Sequence, residues 1–179
     1  AQDATPEATA MEPWTCPDGF QGQTLNVFNW TTYIADNTIP DFEAACGVSI
    51  VYDTYESNEA LLARLRGGNP GYDIVVPTDH MVATMINLGL LEPLDMASIP
   101  NFANISEDLK NPSYDPGNVY SVPYQWGTIG VGYNTDKVGG EITSWDQVFS
   151  YNGPVAWLDD PRAMTGIALQ ILGYDPNTS

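Results

Sequence analysis

One indole in this chain stands where a ligand would be met. Leu25, Val27 and Phe28 form the apolar part of a short strand, and Asn29-Trp30-Thr31 follows at its carboxyl end. In open α/β sheets, ligands bind outside the carboxyl ends of the strands. Trp30 offers a broad flat face there, with an N–H at one edge. It serves equally as a core Trp capping the sheet. The remaining candidates for chemistry are acids and one imidazole. Asp79 and His80 follow Val75-Val76-Pro77-Thr78; Asp79 also reads as a helix N-cap, and His80 as a solvated first-turn residue. Asp159-Asp160 could do acid–base work, yet Asp160 before Pro161 reads equally as a helix start. The sequence holds no G-x-S-x-G elbow, no H-E-x-x-H and no Gly-rich phosphate loop. His80 has no Ser or Cys near it in sequence that would make a triad. A hydrolase is the reading from another class, and it has little support.

Composition bounds the ligand. The 179 residues are 43% hydrophobic, enough to bury a core of one domain or one and a half. Five basic against 23 acidic residues give a formal charge of −18. A phosphate backbone would be repelled, which excludes nucleic acid. An acidic field favours cationic ligands and speeds their arrival; an acid-rich, lysine-poor proteome produces the same balance. No apolar run is long enough to cross a bilayer. The start, Ala1-Gln2-Asp3-Ala4-Thr5-Pro6-Glu7, has the composition of the flexible front of an exported protein after signal cleavage. Cys16 and Cys46 lack C-x-x-C spacing and form no Cys/His cluster, so no metal is expected. In an oxidising compartment they read as one disulfide, which would tie the front segment to the first helix. Two free thiols are the other reading.

The elements that position Trp30 and Asp79 follow from periodicity. Residues 1–23 form an extended N-terminal segment, loosely ordered up to Trp14. Strand 1 holds Leu25 to Phe28. A helix runs from Asn37 or Thr38 to Cys46, with Pro40 in its first turn, Ile39, Phe42 and Cys46 on one face, and Gly47 as its stop. The β-branched and aromatic run 48–55 is strand 2. Ser57 caps a helix that turns Leu61, Leu62 and Leu65 inward. Asp73-Ile74-Val75-Val76-Pro77 is strand 3, a continuous apolar run expected to be covered on both faces. Thr78 or Asp79 caps the next helix, with Val82, Met85 and Ile86 inward and Gly89 at its end. The order β-α-β-α-β-α predicts a parallel sheet with right-handed crossovers, an α/β fold. Residues 91–119 are irregular. Strands are expected at 129–133 and 155–158. A Ser144/Gln147 capping box opens a short helix, and Asp160-Pro161 opens another through Leu172.

Four motifs accumulate along this order: Asn29-Trp30-Thr31-Thr32-Tyr33, Tyr52-Asp53-Thr54-Tyr55-Glu56-Ser57-Asn58-Glu59, Tyr72-Asp73-Ile74-Val75-Val76-Pro77-Thr78 and Val122-Pro123-Tyr124-Gln125-Trp126-Gly127. Together they closely resemble the spermidine/putrescine-binding receptors of bacterial ABC importers, over about residues 24–179. The resemblance implies a type II periplasmic-binding-protein fold with two α/β lobes hinged around a cleft. It places the first lobe at 24–130, near-complete, and the second at 131–179, as an incomplete start, with a crossing near Gly127 to Gly132. Family members are considerably longer, so the chain is expected to be a fragment. It would pair with the missing C-terminal piece or with a second copy of itself.

The resemblance also implies a function: a periplasmic receptor that binds an amine ligand and delivers it to the membrane subunits of an ABC transporter, with no cofactor. A polyamine needs carboxylates for its ammonium groups and aromatic walls for its methylene chain. Trp30, Thr31 and Tyr33 match cleft positions of the first lobe. Thr78 matches the hydroxyl residue after the Val75-Val76-Pro77 strand, and Asp160 an acid of the second lobe. Thr32 and Ala163 stand where these receptors often carry acids, and His80 stands at a variable position. Asp79, at the same strand end, is the replacement charge. A related receptor for another amine-bearing or small polar ligand is the alternative.

Overall fold

In the computed structural model, residues 14–68 and 70–176 are described. The looseness expected for the first 13 residues lies outside them. The chain divides between Tyr124 and Gln125 into two compact units.

The first unit is built on a parallel three-stranded sheet of order β2-β1-β3. β1 (Thr24–Trp30) is central. β2 (Ser49–Tyr55) pairs along its whole length, from Thr24 opposite Ser49 to Trp30 opposite Tyr55. β3 (Ile74–Val75) pairs on the other side through Val27 and Phe28. β3 is shorter than the five-residue strand expected from sequence. Asp73 N–H and Val76 N–H still donate to Asn26 and Phe28 carbonyls, at 2.9 and 3.2 Å. Pro77 then has no N–H to continue the ladder. Nor is β3 covered on both faces, since Ile74 is 47% exposed.

The helices form where the sequence places them. α1 (Thr38–Cys46) ends on Gly47, whose φ of 64° returns its N–H to the Glu43 carbonyl. α2 (Asn58–Arg66) is capped by Ser57, which accepts from Ala60 N–H at 3.1 Å. α3 (Asp79–Asn87) starts after Thr78. The core joins Phe28, Tyr55, Leu61, Leu65, Met81 and Met85. Phe28 is its centre: its ring stacks on Tyr72 at 4.4 Å and meets Tyr55 edge-on at 4.8 Å. Leu61 and Met85 are fully buried, and truncating such residues typically costs about 2–5 kcal/mol. Val82 is also buried, whereas Ile86 is only half-buried.

The segment before β1 is tied to α1. Cys16 and Cys46 form a disulfide with Cα atoms 5.2 Å apart. Trp14 stacks on Phe42 at 5.6 Å, and Gly22 N–H donates to the Gly47 carbonyl at 2.7 Å. After α3, residues 91–121 run through three short 3₁₀ turns, at Met96–Ser98, Pro100–Asn104 and Glu107–Leu109. They end in a loop wrapped around Asp115. That buried carboxylate accepts from the backbone N–H groups of Val119, Tyr120 and Ser121 and from the Ser121 hydroxyl.

The second unit holds α4 (Thr135–Val138), α5 (Trp145–Phe149) and α6 (Pro161–Ile171). The Ser144/Gln147 capping box forms at α5 as expected. The strands expected at 129–133 and 155–158 do not: neither belongs to a ladder among the described residues. Their apolar pattern is that of strands, but a strand exists only when a neighbour takes its N–H and C=O groups. Both segments instead line a hollow of about 440 Å³ with Trp145 and Met164. Trp157 and Leu158 stay 46% and 54% exposed.

Candidate functional site

The carboxyl ends of β1, β2 and β3 bring together most of the residues singled out from sequence. Trp30 closes β1. It is half-buried and leans on Tyr55 at 4.6 Å. Its indole N–H donates to the Val76 carbonyl at 2.8 Å, and the Tyr55 hydroxyl donates to the same oxygen. Val76 thus fastens the central strand and β2 to the end of β3. The core reading of Trp30 holds: its ring packs on the core, at the carboxyl end of the central strand. Its N–H is committed to Val76.

Beyond Trp30 the chain leaves β1. Thr31 is exposed and donates its hydroxyl to Glu56 Oε1 at 2.8 Å. Thr32 takes the left-handed conformation with φ 55°, which turns the chain toward Tyr33. Tyr33 is half-buried, meets Tyr124 edge-on at 5.8 Å, and accepts the Tyr124 hydroxyl on its carbonyl at 2.9 Å.

On the β3 side, Thr78, Asp79 and His80 form a local knot. Thr78 holds the N-cap position of α3, but its hydroxyl lies 3.0 Å from His80 Nδ1 and does not cap. Asp79 Oδ1 accepts the His80 N–H at 2.6 Å and stands 3.4 Å from His80 Nδ1. The Asp79 side chain is 69% exposed against 23% for His80, so the acid faces water and the imidazole packs in. Asp79 therefore covers one of the free N–H groups of the helix start and keeps an exposed carboxylate. Tyr114 lies close by: burial, and then the charges of Asp79 and Asp115, push its phenol pKa up.

Asp160 belongs to the second unit. Its carboxylate caps α6, accepting Ala163 N–H at 2.9 Å. Three residues around the candidate site of the first unit appear in the sequence motifs but are not singled out as site residues. Glu56 is the first residue past β2, where the strand-end rule applied to Trp30 would also have found it. Asn58 is buried and its side-chain oxygen accepts Thr78 N–H at 3.3 Å, holding the β3 end. Tyr124 supports Tyr33 from 91 residues away, and no local pattern announces that.

Residues 37–179 match the family model of the bacterial extracellular solute-binding proteins. The chain belongs to this family. Among curated members, it is 41% identical over 169 residues to the putrescine-binding periplasmic protein SpuD of Pseudomonas aeruginosa, covering 86% of this chain and 46% of that protein. It is 38% identical over 160 residues to the spermidine/putrescine-binding periplasmic protein of Escherichia coli, covering 87% and 46%. Two solved structures share its fold. The spermidine/putrescine substrate-binding protein PotD of Streptococcus pneumoniae superposes with a TM-score of 0.74 at 35% identity, over 88% of this chain and 50% of that one. The TpPotD lipoprotein of Treponema pallidum superposes with a TM-score of 0.79 at 39% identity, over 87% and 50%. The chain spans about half the length of these solute-binding relatives, and its α/β architecture is that of the corresponding half. No helix among the described residues is long and apolar enough to cross a membrane.

Proposed function

We propose that this chain forms the ligand-meeting part of a periplasmic polyamine receptor of an ABC importer. One observation carries the reading: Trp30 closes the central strand, and Asp79, with an exposed carboxylate, opens the helix that follows the neighbouring strand β3. That pair suits a primary ammonium on an alkyl chain. The cation is attracted to the indole face and accepted by the carboxylate, while the methylenes lie on the ring. Thr31, Tyr33, Thr78 and His80 follow the same strand ends, and Asp160, in the second unit, is a further candidate carboxylate. The importer's membrane subunits then read the ligand-bound form. The protein binds and releases its ligand without converting it. The unpaired segments at 129–133 and 155–158 favour a second lobe completed by further chain, either the rest of the receptor or a second copy.

A panel of thermal shifts on the intact receptor tests the ligand class. Putrescine and spermidine should raise Tm, by about 2.7 kcal/mol of added stability at a hundredfold excess over Kd. A neutral diol of the same length should not. The second reading, a receptor for a different amine, is favoured by Thr32 and Ala163, which stand where acids are expected. It takes over if other amines shift Tm and the polyamines do not. Equal shifts by diol and diamine would remove both.

A further inference from the structure

We infer that Glu56 is a second ammonium-binding carboxylate of this site, and that with Asp79 it selects diamines over monoamines. This rests on the amine-receptor reading above. Glu56 is the first residue after β2. The β1–β2 register ends with Trp30 opposite Tyr55, so Thr31 and Glu56 leave the sheet side by side. The Thr31 hydroxyl fixes one carboxylate oxygen, Oε1, at 2.8 Å.

The geometry leaves the acid available. Glu56 is exposed, and neither ion pair among the described residues includes it. It is not needed to start α2, because Ser57 caps that helix through Ala60. The central strand separates it from β3, the strand that leads to Asp79. The order thus puts Glu56 past the end of β2 and Asp79 past the end of β3, on either side of the strand that ends in Trp30, with two strand spacings of about 4.8 Å each between the outer strands. A single ammonium satisfies one of the two carboxylates. A short diammonium lying over the indole reaches both and leaves neither charge unanswered. Thr32 removes an acid from the β1 loop, and Glu56 supplies one from the neighbouring strand.

The test is calorimetric titration of the intact receptor with putrescine and with n-butylamine, in wild type, Glu56→Gln and Thr31→Val. Wild type should bind putrescine more tightly than butylamine. Glu56→Gln should weaken putrescine at least about tenfold, the loss expected for a charge-assisted hydrogen bond, and leave butylamine within about twofold. Thr31→Val should weaken putrescine less than Glu56→Gln does. Putrescine binding unchanged in Glu56→Gln overturns the inference, as does an equal weakening of both amines, which marks a structural effect. Wild type binding neither amine overturns the amine-receptor reading itself. Should Glu56→Gln fold poorly, the putrescine-bound crystal structure decides. An ammonium nitrogen in hydrogen-bond contact with the Glu56 carboxylate supports the inference, and its absence there refutes it.

Discussion

At the scale of single residues, the Val76 carbonyl is a shared anchor. It accepts from both the Trp30 indole and the Tyr55 hydroxyl, so the wall of the site and the core share one anchor. Tyr55→Phe keeps the packing and removes one of the two donors. It should cost about 1 kcal/mol at neutral pH, the net value of a typical hydrogen bond. Burial, and then the Tyr52 phenol beside it, push the Tyr55 pKa well above its ordinary value. The folded state thus holds this proton more tightly than the unfolded chain, whose tyrosines titrate near pH 10. The stabilisation is complete below about pH 10 and is lost as pH rises through that value toward the raised pKa. Urea midpoints at pH 7 and above pH 10 should fall less with pH in Tyr55→Phe than in wild type. Parallel loss in both proteins would show that Tyr55 does not carry the alkaline sensitivity.

At the scale of elements, what the sequence revealed depended on how local the cause was. α1, α2 and α3 carry their own signals: Gly47 as a stop, Ser57 as a cap, and leucines and methionines on one face. They form where expected. The strands at 129–133 and 155–158 carried the same kind of apolar signal and did not form, because pairing partners are not encoded in the strand itself. The Tyr33–Tyr124 contact was invisible for the related reason that its two halves are far apart in sequence. The disulfide was readable because only two cysteines exist. It closes a loop between residues 30 positions apart, which the chain-entropy model values at about 3–4 kcal/mol. Reductant should lower the urea midpoint of wild type accordingly and leave a Cys16→Ser/Cys46→Ser double variant unmoved; an unchanged wild type would remove the stabilising role. Asp160 holds two candidate roles, and Asn separates them, since Asn caps helices as well as Asp. Asp160→Asn should retain thermal stability and weaken an amine ligand in the intact receptor. Asp160→Ala should in addition lose about 1 kcal/mol of stability. Unchanged affinity in the Asn variant would leave Asp160 as a cap alone.

At the scale of the whole molecule, a formal charge of −18 favours the approach of cations in general, and salt screens such attraction beyond about 10 Å at 0.1 M. Raising salt should therefore slow association with an amine more than it speeds dissociation. Contacts of an amine with Trp30 and Asp79, being local, should persist under those conditions. The central claim is that these two residues meet an ammonium, and calorimetry of the intact receptor with putrescine, in wild type and Asp79→Asn, measures it directly. A hydrogen bond to a charged group is worth about 1.5–3 kcal/mol once the ligand covers it, so wild type should bind and Asp79→Asn should bind roughly tenfold to a hundredfold more weakly. Tight binding by wild type with no change in Asp79→Asn would reduce Asp79 to a helix-start residue, and no binding by wild type at millimolar putrescine would contradict the account at its root.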